Sequence, residues 1–404
     1  MRASYGLSYN YLPLQWRIDA SSAPPFGNRL TNPSPAGGLD NPWSGFPGGN
    51  PFPYTIDANV PFVPAGLFVV QPYNIHPTYA STWNLSLQRQ LATDWLVSAT
   101  YMGTQTTHVW AQQAINPGVF IPGGSCTLSG VVYNPCSSTA NTNQRRRLSL
   151  ERPLDGQYIG ALDLFDDGAT QNYHGMLLSL QRRAKGVTLS SNYTFSHCIG
   201  DNADVAGMGP GAGAGYTDPN NRRLDRGNCD ADRRHIFNMT AVAETPRFAN
   251  DTLRMIGTGW RLSGIYRKSS GPFLTITSGV DRALTGIGSQ RPDQVLASPY
   301  LDKSSDALTT YLNSAAFALP ALGKNGNMGR GNVQGFGTWQ FDTSLSRVFA
   351  IREGQTLEFR AEAYNLTNSF RPRDLNTALN SNTFGQIRTA LDPRILQFAL
   401  KYVF

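Results

Sequence analysis

Histidine and aspartate side chains that lie close together in the chain are the first candidates for chemistry in this sequence. His174 closely follows Asp166 and Asp167, and His197 closely precedes Asp201. An imidazole beside a carboxylate can act as a general acid or base in hydrolysis. However, no serine or cysteine lies in a recognisable nucleophile elbow, and acid-rich loops are usually only hydrated. We therefore expect the protein not to be an enzyme.

Two further patterns resemble parts of metal sites. The run DLFDDG (163–168) contains carboxylates like those of a calcium loop but lacks the distal glutamate. If Lys185 and Gly186 form a two-residue turn, counting outward along the flanking strands brings His174 opposite His197. A solvent-facing histidine pair without further ligands is more often incidental than a transition-metal site. We expect no cofactor and no metal, with His174 and His197 as a weak candidate pair.

The positive charge of the chain does not indicate nucleic acid as a partner. The formal net charge is +7, and the basic residues are scattered through the sequence instead of forming a stripe or a tail. One local run consists of Arg145, Arg146 and Arg147. It is either a hydrated loop, which is the simpler interpretation, or a grip for anionic glycans or lipid headgroups.

Alternating residues predict ten β-strands, which would have to position these side chains. Apolar and polar residues alternate with a period of two, and Gly (40) and Pro (26) interrupt the segments between the strands. No run approaches the roughly 18 to 20 apolar residues of a membrane helix. The predicted strands lie at 2–11, 83–88, 95–101, 174–180, 187–195, 233–245, 256–268, 338–349, 356–368 and 394–404.

Long and short connections alternate between these strands. The short ones are turns, and this asymmetry is typical of outer-membrane barrels, which have short periplasmic turns and long extracellular loops. A ten-residue strand rises roughly 33 Å and, tilted by about 45°, covers an apolar band of about 25 Å. We therefore predict an all-β fold, an antiparallel transmembrane β-barrel. The predicted long loops are 12–77, 106–169, 199–232, 279–337 and 371–392.

Charged residues predict which face of the sheet is turned towards the barrel interior. In the segment LEFRAEAYN, charged residues alternate with Leu357, Phe359 and alanines. A charge on the lipid side costs about 2 to 4 kcal/mol at the bilayer midplane, so the charged face is expected to line the lumen. The residues expected there are Asp342, Glu358, Arg360, Glu362, Arg261 and Arg267.

The last strand has an aromatic face and an aromatic carboxyl terminus. Leu396, Phe398, Leu400, Tyr402 and Phe404 fall on one face. This ending resembles the terminal strand of bacterial outer-membrane barrels, in which the final aromatic residue is part of the signal read by the barrel-insertion machinery. The resemblance implies that Leu400, Tyr402 and Phe404 form this signal and that the protein is located in the outer membrane of a Gram-negative-type bacterium.

Most predicted strands also resemble the barrel of TonB-dependent outer-membrane receptors, in particular the Oar-like group. Receptors of this family are plugged 22-stranded barrels that take up scarce, bulky ligands with energy delivered by TonB. The resemblance therefore implies uptake of a siderophore, a glycan or a similar ligand by the full-length protein. The segments that carry it are YASTWNLSLQRQL, NYHGMLLSLQRR, SNYTFSH, DRRHIFNMTAV, GWRLSGIYRKSSGPF, FDTSLSRVF, FRAEAYNLTNSF and FGQIRTALDPRILQFALKYVF.

The chain departs from this family because it has no recognisable plug domain, TonB box or signal peptide, and fewer than half of the expected strands. We therefore expect residues 1–404 to be the C-terminal portion of a receptor barrel, without the plug and the N-terminal strands. The full-length protein would contact the TonB complex through the plug that is missing here. We predict an incomplete barrel, an open or strained sheet of about ten strands, because the first strand carries no edge protection. The alternative is a structural, adhesive or secretion-associated barrel that acts through its extracellular loops.

Four cysteines, Cys126, Cys136, Cys198 and Cys229, fall in or at the ends of two predicted extracellular loops. An even number on one side of a protein that folds through an oxidising periplasm favours disulfides. The spacings lack the paired CxxC pattern of zinc sites. Of three possible pairings, loop membership selects Cys126 with Cys136 and Cys198 with Cys229. Free thiols in mobile loops are the alternative.

Overall fold

The structure, a computed structural model, describes residues 1–10, 36–44, 49–50, 62, 64–201, 215–288, 290–301 and 310–404. Tyr11, most of the predicted loop 12–77 and parts of the loops 199–232 and 279–337 lie outside these residues. The strands are β1 (Arg2–Tyr9), β2 (Gly66–Val70), β3 (Tyr79–Ala92), β4 (Trp95–Ala114), β5 (Cys126–Leu128), β6 (Val131–Tyr133), β7 (Ile159–Ala184), β8 (Val187–Gly200), β9 (Gly227–Asn228), β10 (His235–Glu244), β11 (Trp260–Ser269), β12 (Phe273–Leu274), β13 (Asp293–Gln294), β14 (Phe317–Ala318), β15 (Val333–Gln334), β16 (Thr338–Arg352), β17 (Gln355–Tyr364) and β18 (Ile395–Val403).

Twelve of these strands belong to one large sheet, and ten long strands form its main path, in which each strand is antiparallel to the next. Their order is β1, β3, β4, β7, β8, β10, β11, β16, β17, β18, so neighbours in the sheet are also consecutive among the long strands of the chain. Strand β2 adds to β7 in parallel, and β9 pairs with β8. The predicted number of strands and the antiparallel all-β class are confirmed.

Helices are few and short. The described α-helices are Arg147–Glu151, Pro153–Gly156 and Asp251–Gly257, and the 3-10 helices are Thr139–Asn141, Asn143–Arg145, Arg222–Asp225 and Ser314–Ala316. Within the described residues, no helix has both the length and the apolar character needed to cross a membrane.

The register gives the sheet two chemically different faces. On one face, the Ser179 hydroxyl donates to the Asn192 side chain at 2.7 Å. On the other face, Met176 lies opposite Phe195, and Leu178 follows on the same side; all three are exposed. Such a broad exposed apolar surface needs a non-aqueous partner, and in a membrane strand that partner is lipid. The apolar face is therefore the outer face.

Strand β18 follows the same rule. Its Phe398 and Leu400 lie on the same side as Phe359 of β17, with Tyr402 next in line. Phe398 and Leu400 are 70% and 69% exposed, so their apolar area is available to lipid rather than to a protein core. The alternation predicted for the terminal strand is confirmed.

Tryptophans lie towards both ends of the outer face. Trp83 is opposite Gly103 and meets His174 edge-on, with 6.2 Å between the ring centroids. A Cβ atom at Gly103 would come within 2.4 Å of the indole, so only glycine leaves room for this ring. At the short-turn end, the Arg347 guanidinium lies 5.5 Å from the ring centroid of Trp260. This arrangement matches the interfacial aromatic belts of membrane barrels.

The two outermost strands each have one partner. Strand β1 is paired along its whole length with β3, and β18 is paired with β17. No ladder joins β1 to β18 in the part of the chain that the structure describes. The predicted open sheet is therefore confirmed for the described residues.

Three of the four short connections are tight turns, and the fourth contains a helix. Gly186 (φ +76°) and Gly354 (φ +76°) supply the left-handed backbone that such turns need. Between β10 and β11, the side chain of Asn250 accepts hydrogen bonds from the first turn of the helix Asp251–Gly257, at 3.0 and 3.1 Å. The predicted strand 233–245 agrees with β10 to within two residues, but the predicted strand 256–268 was wrong at its start, because this cap begins a helix that continues to Gly257.

Strands β4 and β7 are much longer than the sequence predicted. Their ladder continues past two bulges to the pair Ala114 and Asp163. The predicted loop 106–169 was therefore wrong at both ends, and the run DLFDDG is part of a strand. Phe165, within this run, is fully buried and packs with Val69 and Trp110. This apolar contact stabilises the part of β4 and β7 that extends beyond the membrane-spanning length.

The long connections lie at the opposite end of the strands from the short turns, and they pack together. We call the described parts of 115–158, 201–234, 270–337 and 365–394 the extracellular assembly. It has its own apolar core, in which Ile276, Leu312, Val333 and Met328 are almost completely buried. Aromatic rings of Phe317 and Phe384 meet edge-on in this core, with centroids 5.4 Å apart. These connections therefore form a compact body rather than separate surface loops.

Candidate ligand-binding face and extracellular assembly

The carboxylates considered as catalytic partners are engaged elsewhere. Asp166 is 2.6 Å from the Arg222 guanidinium, and Asp201 is 2.5 Å from that of Arg226. Asp167 lies 2.7 Å from a ring nitrogen of His76. Neither His–Asp pair suggested by sequence proximity is formed among the described residues. The acidic run lies in a strand, and its carboxylates have separate partners in Gln112, Arg222 and His76, which removes the geometry of a calcium loop.

The predicted neighbourhood of His174 and His197 is present, but each ring has another partner. The two residues are directly opposite each other in the ladder between β7 and β8, as the turn predicted. His174 shares a hydrogen bond of 2.8 Å with the Tyr101 hydroxyl, and His197 one of 3.1 Å with the Asn228 side chain. The described residues include no third metal ligand beside this pair.

Two of the three consecutive arginines are structural. Arg145 is fully buried and donates to the carbonyls of Val119 (2.5 Å), Ser138 (2.7 Å) and Leu284 (3.1 Å). Burial lowers the pKa of Arg145, an effect that the Asp281 carboxylate opposes. Arg146 is also buried, and only Arg147 is exposed. The interpretation of this run as a hydrated loop or a surface grip was therefore wrong, because the guanidinium groups crosslink backbone turns.

A buried ion pair joins two connections of the extracellular assembly. Arg291 donates to Asp225 at 2.6 Å, and both side chains are less than 10% exposed. Arg291 also donates to the carbonyls of Met328 (2.8 Å) and Leu224 (2.8 Å), and Asp225 accepts from the Thr217 backbone at 2.8 Å. With these additional hydrogen bonds the pair has the partners that a buried charge needs.

The structure contains two disulfides. Cys126 is bonded to Cys136 with a Cα separation of 5.1 Å, and Cys198 to Cys229 with 5.4 Å. These are the two pairs that loop membership selects. Cys198 lies near the end of β8, and the backbone N–H of Cys229 donates to its carbonyl at 3.1 Å, so the second bond closes the base of its connection.

All six residues expected on the inner face lie on the polar side of the sheet. Arg360 is 3.0 Å from Glu358 and 3.6 Å from Glu362, the next charged residues along β17. Asp342 accepts from Gln340 at 2.6 Å and from the backbone of Asn365 at 2.8 Å. The charges on β17 thus pair along their own strand, where one arginine and two glutamates leave a formal charge of −1.

The two arginines of β11 differ in their partners. Arg261, near the short-turn end, is 3.7 Å from Glu244. Arg267 lies on the same face near the extracellular end, opposite Asn238 and Gln340. Among the described residues, Arg267 forms no ion pair within 4 Å.

Arg267 lines a cavity of about 270 Å³ between the sheet and the extracellular assembly. Two further arginines, Arg233 and Arg371, line the same cavity. Arg233 donates to the Ser270 carbonyl at 3.2 Å, whereas the buried Arg371 donates to the Gln340 side chain and to the Asp392 carbonyl. Sequence alternation identified Arg267 but missed the other two, because they lie in connections where a period of two does not apply.

The cavity has an excess of positive charge. None of its lining residues is a carboxylate. The buried Nε of Arg371 has no hydrogen-bond partner among the described residues. An unpaired donor and three guanidinium groups in one concave site favour an anion, because guanidinium groups match carboxylates and phosphates in geometry.

A second concavity, of about 600 Å³, lies mainly on the apolar side of the sheet. Its lining includes Leu87, Ala99, Leu178 and Leu180. Small side chains such as Ala99 leave a shallow depression between larger ones. Because this face contacts lipid, acyl chains rather than a transported ligand would fill it.

Parts of three solved proteins are similar to this chain. The outer membrane transporter YddB of Escherichia coli aligns with 84% of this chain and 34% of its own, at 10% identity and a TM-score of 0.42. The ferric-catecholate import receptor Fiu of E. coli K12 aligns with 82% of this chain and 28% of its own, at 12% identity and a TM-score of 0.38. BauA, the ferric preacinetobactin receptor of Acinetobacter baumannii, aligns with 81% of this chain and 30% of its own, at 12% identity and a TM-score of 0.36. The chain spans about a third of the length of these proteins.

Nearly the whole chain matches one protein family. No curated protein sequence matches the chain. Residues 1–397 match the family model described as "Outer membrane beta barrel domain". The match agrees with an antiparallel sheet that has one apolar and one polar face. The chain therefore belongs to the outer membrane beta barrel domain family and is located in the outer membrane of a Gram-negative bacterium.

Proposed function

We propose that this chain forms part of the barrel of a TonB-dependent receptor, and that the full-length protein takes up a bulky ligand such as a siderophore or a glycan. The segments that resemble this family fall on strands of the sheet: YASTWNLSLQRQL on β3, NYHGMLLSLQRR on β7 and FDTSLSRVF on β16. The TonB complex would act on a plug in the full-length protein. Outer-membrane lipid would cover the apolar face.

The two sheet edges support the proposal that residues 1–404 are the C-terminal portion of a larger barrel. Strands β1 and β18 each present one unpaired edge within the described residues. Each unsatisfied backbone group costs several kcal/mol in hydrocarbon, so a membrane sheet has to be closed. Further membrane-spanning strands, beyond the ten long ones, would satisfy both edges, with the plug inside the closed barrel.

The observation that carries ligand binding is the cavity lined by Arg233, Arg267 and Arg371. It lies at the extracellular end of the polar face, where a ligand entering from outside would first meet the barrel interior. Among the described residues, none of its three guanidinium groups forms an ion pair with a carboxylate, which favours an anionic ligand. Carboxylate, phosphate and catecholate groups all offer the paired oxygens that arginine recognises.

Uptake by cells that carry the full-length protein tests this proposal. The probes are an anionic ferric tricatecholate, an uncharged ferric hydroxamate and an acidic oligosaccharide. Uptake of an anionic probe should require TonB and fall at least about tenfold in Arg267→Ala, which removes one charge-assisted contact. Arg261→Ala is the matched control, because Arg261 lies on the same strand and face but pairs with Glu244.

Three results would contradict the proposal. Uptake that persists without TonB would exclude the energised receptor. Equal losses in Arg267→Ala and Arg261→Ala would exclude the cavity as the binding site. Failure of all anionic probes to be taken up would exclude the ligand class.

The packed extracellular assembly favours a second candidate function. A body with a buried core at Ile276, Leu312 and Val333 can present a fixed surface, as a structural, adhesive or secretion-associated barrel requires. In that case, cells should attach to a surface or secrete a substrate equally well with and without TonB. Loss of attachment on removal of TonB would contradict this alternative.

We also infer that the barrel-insertion machinery recognises the end of β18. Leu400, Tyr402 and Phe404 are all exposed, and the rings of Tyr402 and Phe404 stack with centroids 5.8 Å apart. Phe404→Ala should lower the amount of folded protein in the outer membrane several-fold, measured by fractionation. Val403→Ala, on the opposite face, is the control, and equal loss in both variants would contradict the inference.

A further inference from the structure

Three potential metal ligands lie together where β4 and β7 extend beyond the extracellular ends of the other strands. His76 lies in the segment between β2 and β3, His108 in β4 and Asp167 in β7. The His76 and His108 rings stack with centroids 4.7 Å apart. Ring nitrogens of His76 and His108 lie 2.7 and 3.7 Å from the same carboxylate oxygen of Asp167. Three distant parts of the chain thus bring their ligand atoms to one point.

A bulge aims His108 at this point. The ladder between β4 and β7 is interrupted on both sides of Val109, and His108 has a φ of +54°. This left-handed conformation is uncommon for a residue with a side chain, and bulges often re-aim a side chain at a functional site. The Thr78 hydroxyl donates to the His108 carbonyl at 2.6 Å and holds this conformation.

The cluster is supported by a packed base. The Trp110 indole donates to the His76 carbonyl at 2.7 Å, and the His76 backbone N–H donates to Asp167 at 2.8 Å. Trp110 is 5% exposed and stacks on the fully buried Phe165. The side chains of His76 and Asp167 are still 60% and 25% exposed, so an ion from solvent can reach them.

We propose that His76, His108 and Asp167 bind a divalent first-row transition-metal ion of the Zn²⁺ class at the extracellular side of the protein. Each residue offers one ligand atom, and the three atoms lie within 4.8 Å of one another. Ligands around tetrahedral zinc are roughly 3.3 Å apart, as follows from bond lengths near 2.0 to 2.1 Å. A small side-chain adjustment therefore closes the site.

The donor set determines the class of ion. Two imidazoles and one carboxylate suit zinc and similar first-row ions, whereas Ca²⁺ and Mg²⁺ prefer oxygen ligands. Three protein ligands leave a position for water or for a group of another molecule. Because bound imidazole has to be neutral, protons compete with the metal ion, so binding should weaken as the pH falls.

Metal binding by the purified full-length protein tests the proposal. The protein carries no histidine tag and is treated with a chelator, and Zn²⁺ is titrated by calorimetry, with Co²⁺ absorption reporting ligand geometry. We expect one Zn²⁺ to bind, without competition from Ca²⁺. His76→Ala and Asp167→Asn should each weaken binding at least about tenfold. His174→Ala is the matched control, because it removes an imidazole from β7 outside the cluster.

The proposal is overturned if Zn²⁺ does not bind, or if it binds equally well to His76→Ala and Asp167→Asn. In that case the cluster is only a hydrogen-bonded crosslink between three segments. Loss of binding in His174→Ala together with His197→Ala, but not in His76→Ala, would move the site to the other histidine pair. His76 lies outside the strands, so its replacement can be scored even if Asp167→Asn does not fold.

Discussion

The membrane-spanning sheet and the extracellular assembly satisfy their polar groups in different ways. In the sheet, backbone groups pair from strand to strand, and polar side chains such as Ser179 and Asn192 meet on the inner face. In the extracellular assembly, buried arginines take over this role. Arg145 binds three carbonyls, and Arg291 joins Asp225 to two more.

This difference determines where each region is vulnerable. A sheet with an apolar face towards lipid tolerates changes on its inner face but not a charge on its outer face. The extracellular assembly has little regular structure, so loss of one central side chain exposes several backbone groups at once. Variants that remove a buried arginine or a disulfide, and variants that place a charge in lipid, separate these two kinds of vulnerability.

The largest effect is expected for Arg291→Met. The substitution leaves Asp225 buried without its partner, which should destabilise the extracellular assembly by about 3 to 5 kcal/mol. Hydrogen exchange of the connections 215–234 and 290–334 measures this loss. The double variant with Asp225→Leu removes the orphaned charge and should recover part of the stability.

Arg373→Met is the control for the buried pair. Arg373 also faces an aspartate, Asp374 at 3.9 Å, but both side chains are at least 60% exposed. Exposed pairs contribute only about 0 to 1 kcal/mol. If Arg373→Met and Arg291→Met have equal effects, the extracellular assembly does not depend on buried arginines.

A slightly smaller effect is expected for removal of a disulfide. The bond between Cys198 and Cys229 closes a sequence separation of 31, so its loss should cost roughly 3 to 4 kcal/mol on the chain-entropy model. The bond between Cys126 and Cys136 closes a separation of 10 and should contribute roughly 1 kcal/mol less. Paired serine variants and denaturant unfolding give the two values. Non-reducing peptide mapping checks the pairing, and crossed pairs or four free thiols would contradict it.

A charge on the outer face should have the next smaller effect. Leu178→Arg places a guanidinium group in lipid at a cost of about 2 to 4 kcal/mol, whereas Ser179→Arg places it on the polar face at little cost. Folding equilibria of the two variants in vesicles measure this difference. Equal costs at the two adjacent positions would contradict the two-faced sheet.

The sheet could be predicted from sequence because its constraint is local. Leu178 and Ser179 differ in polarity since each lies on a fixed face, and the turn at Lys185 and Gly186 sets the register of the whole β7 and β8 hairpin. Prediction failed where this alternation was overridden. The capped helix after Asn250 replaced the start of a strand, and burial of Phe165 extended β7 into a predicted loop.

The candidate sites were only partly predictable for the same reason. Arg267 follows the alternation of β11, but Arg371 and Arg233 reach the cavity from connections. His76 and His108 come together with Asp167 through a bulge and a parallel strand, which no local pattern indicates. The predicted register correctly placed His174 and His197 as neighbours. It could not show that each imidazole forms a hydrogen bond elsewhere, His174 with Tyr101 and His197 with Asn228.

A scan of single cysteine labels along β8, from 188 to 195, in the protein reconstituted into lipid vesicles tests the two-faced membrane sheet most directly. Labels at 189, 191, 193 and 195 should be quenched by a lipid-borne quencher, because Leu189, Tyr193 and Phe195 lie on the outer face. Labels at 188, 190, 192 and 194 should instead respond to a water-soluble quencher from the lumen. Equal responses at neighbouring positions, or quenching from water at every position, would contradict a membrane-spanning sheet with one lipid face and one polar face.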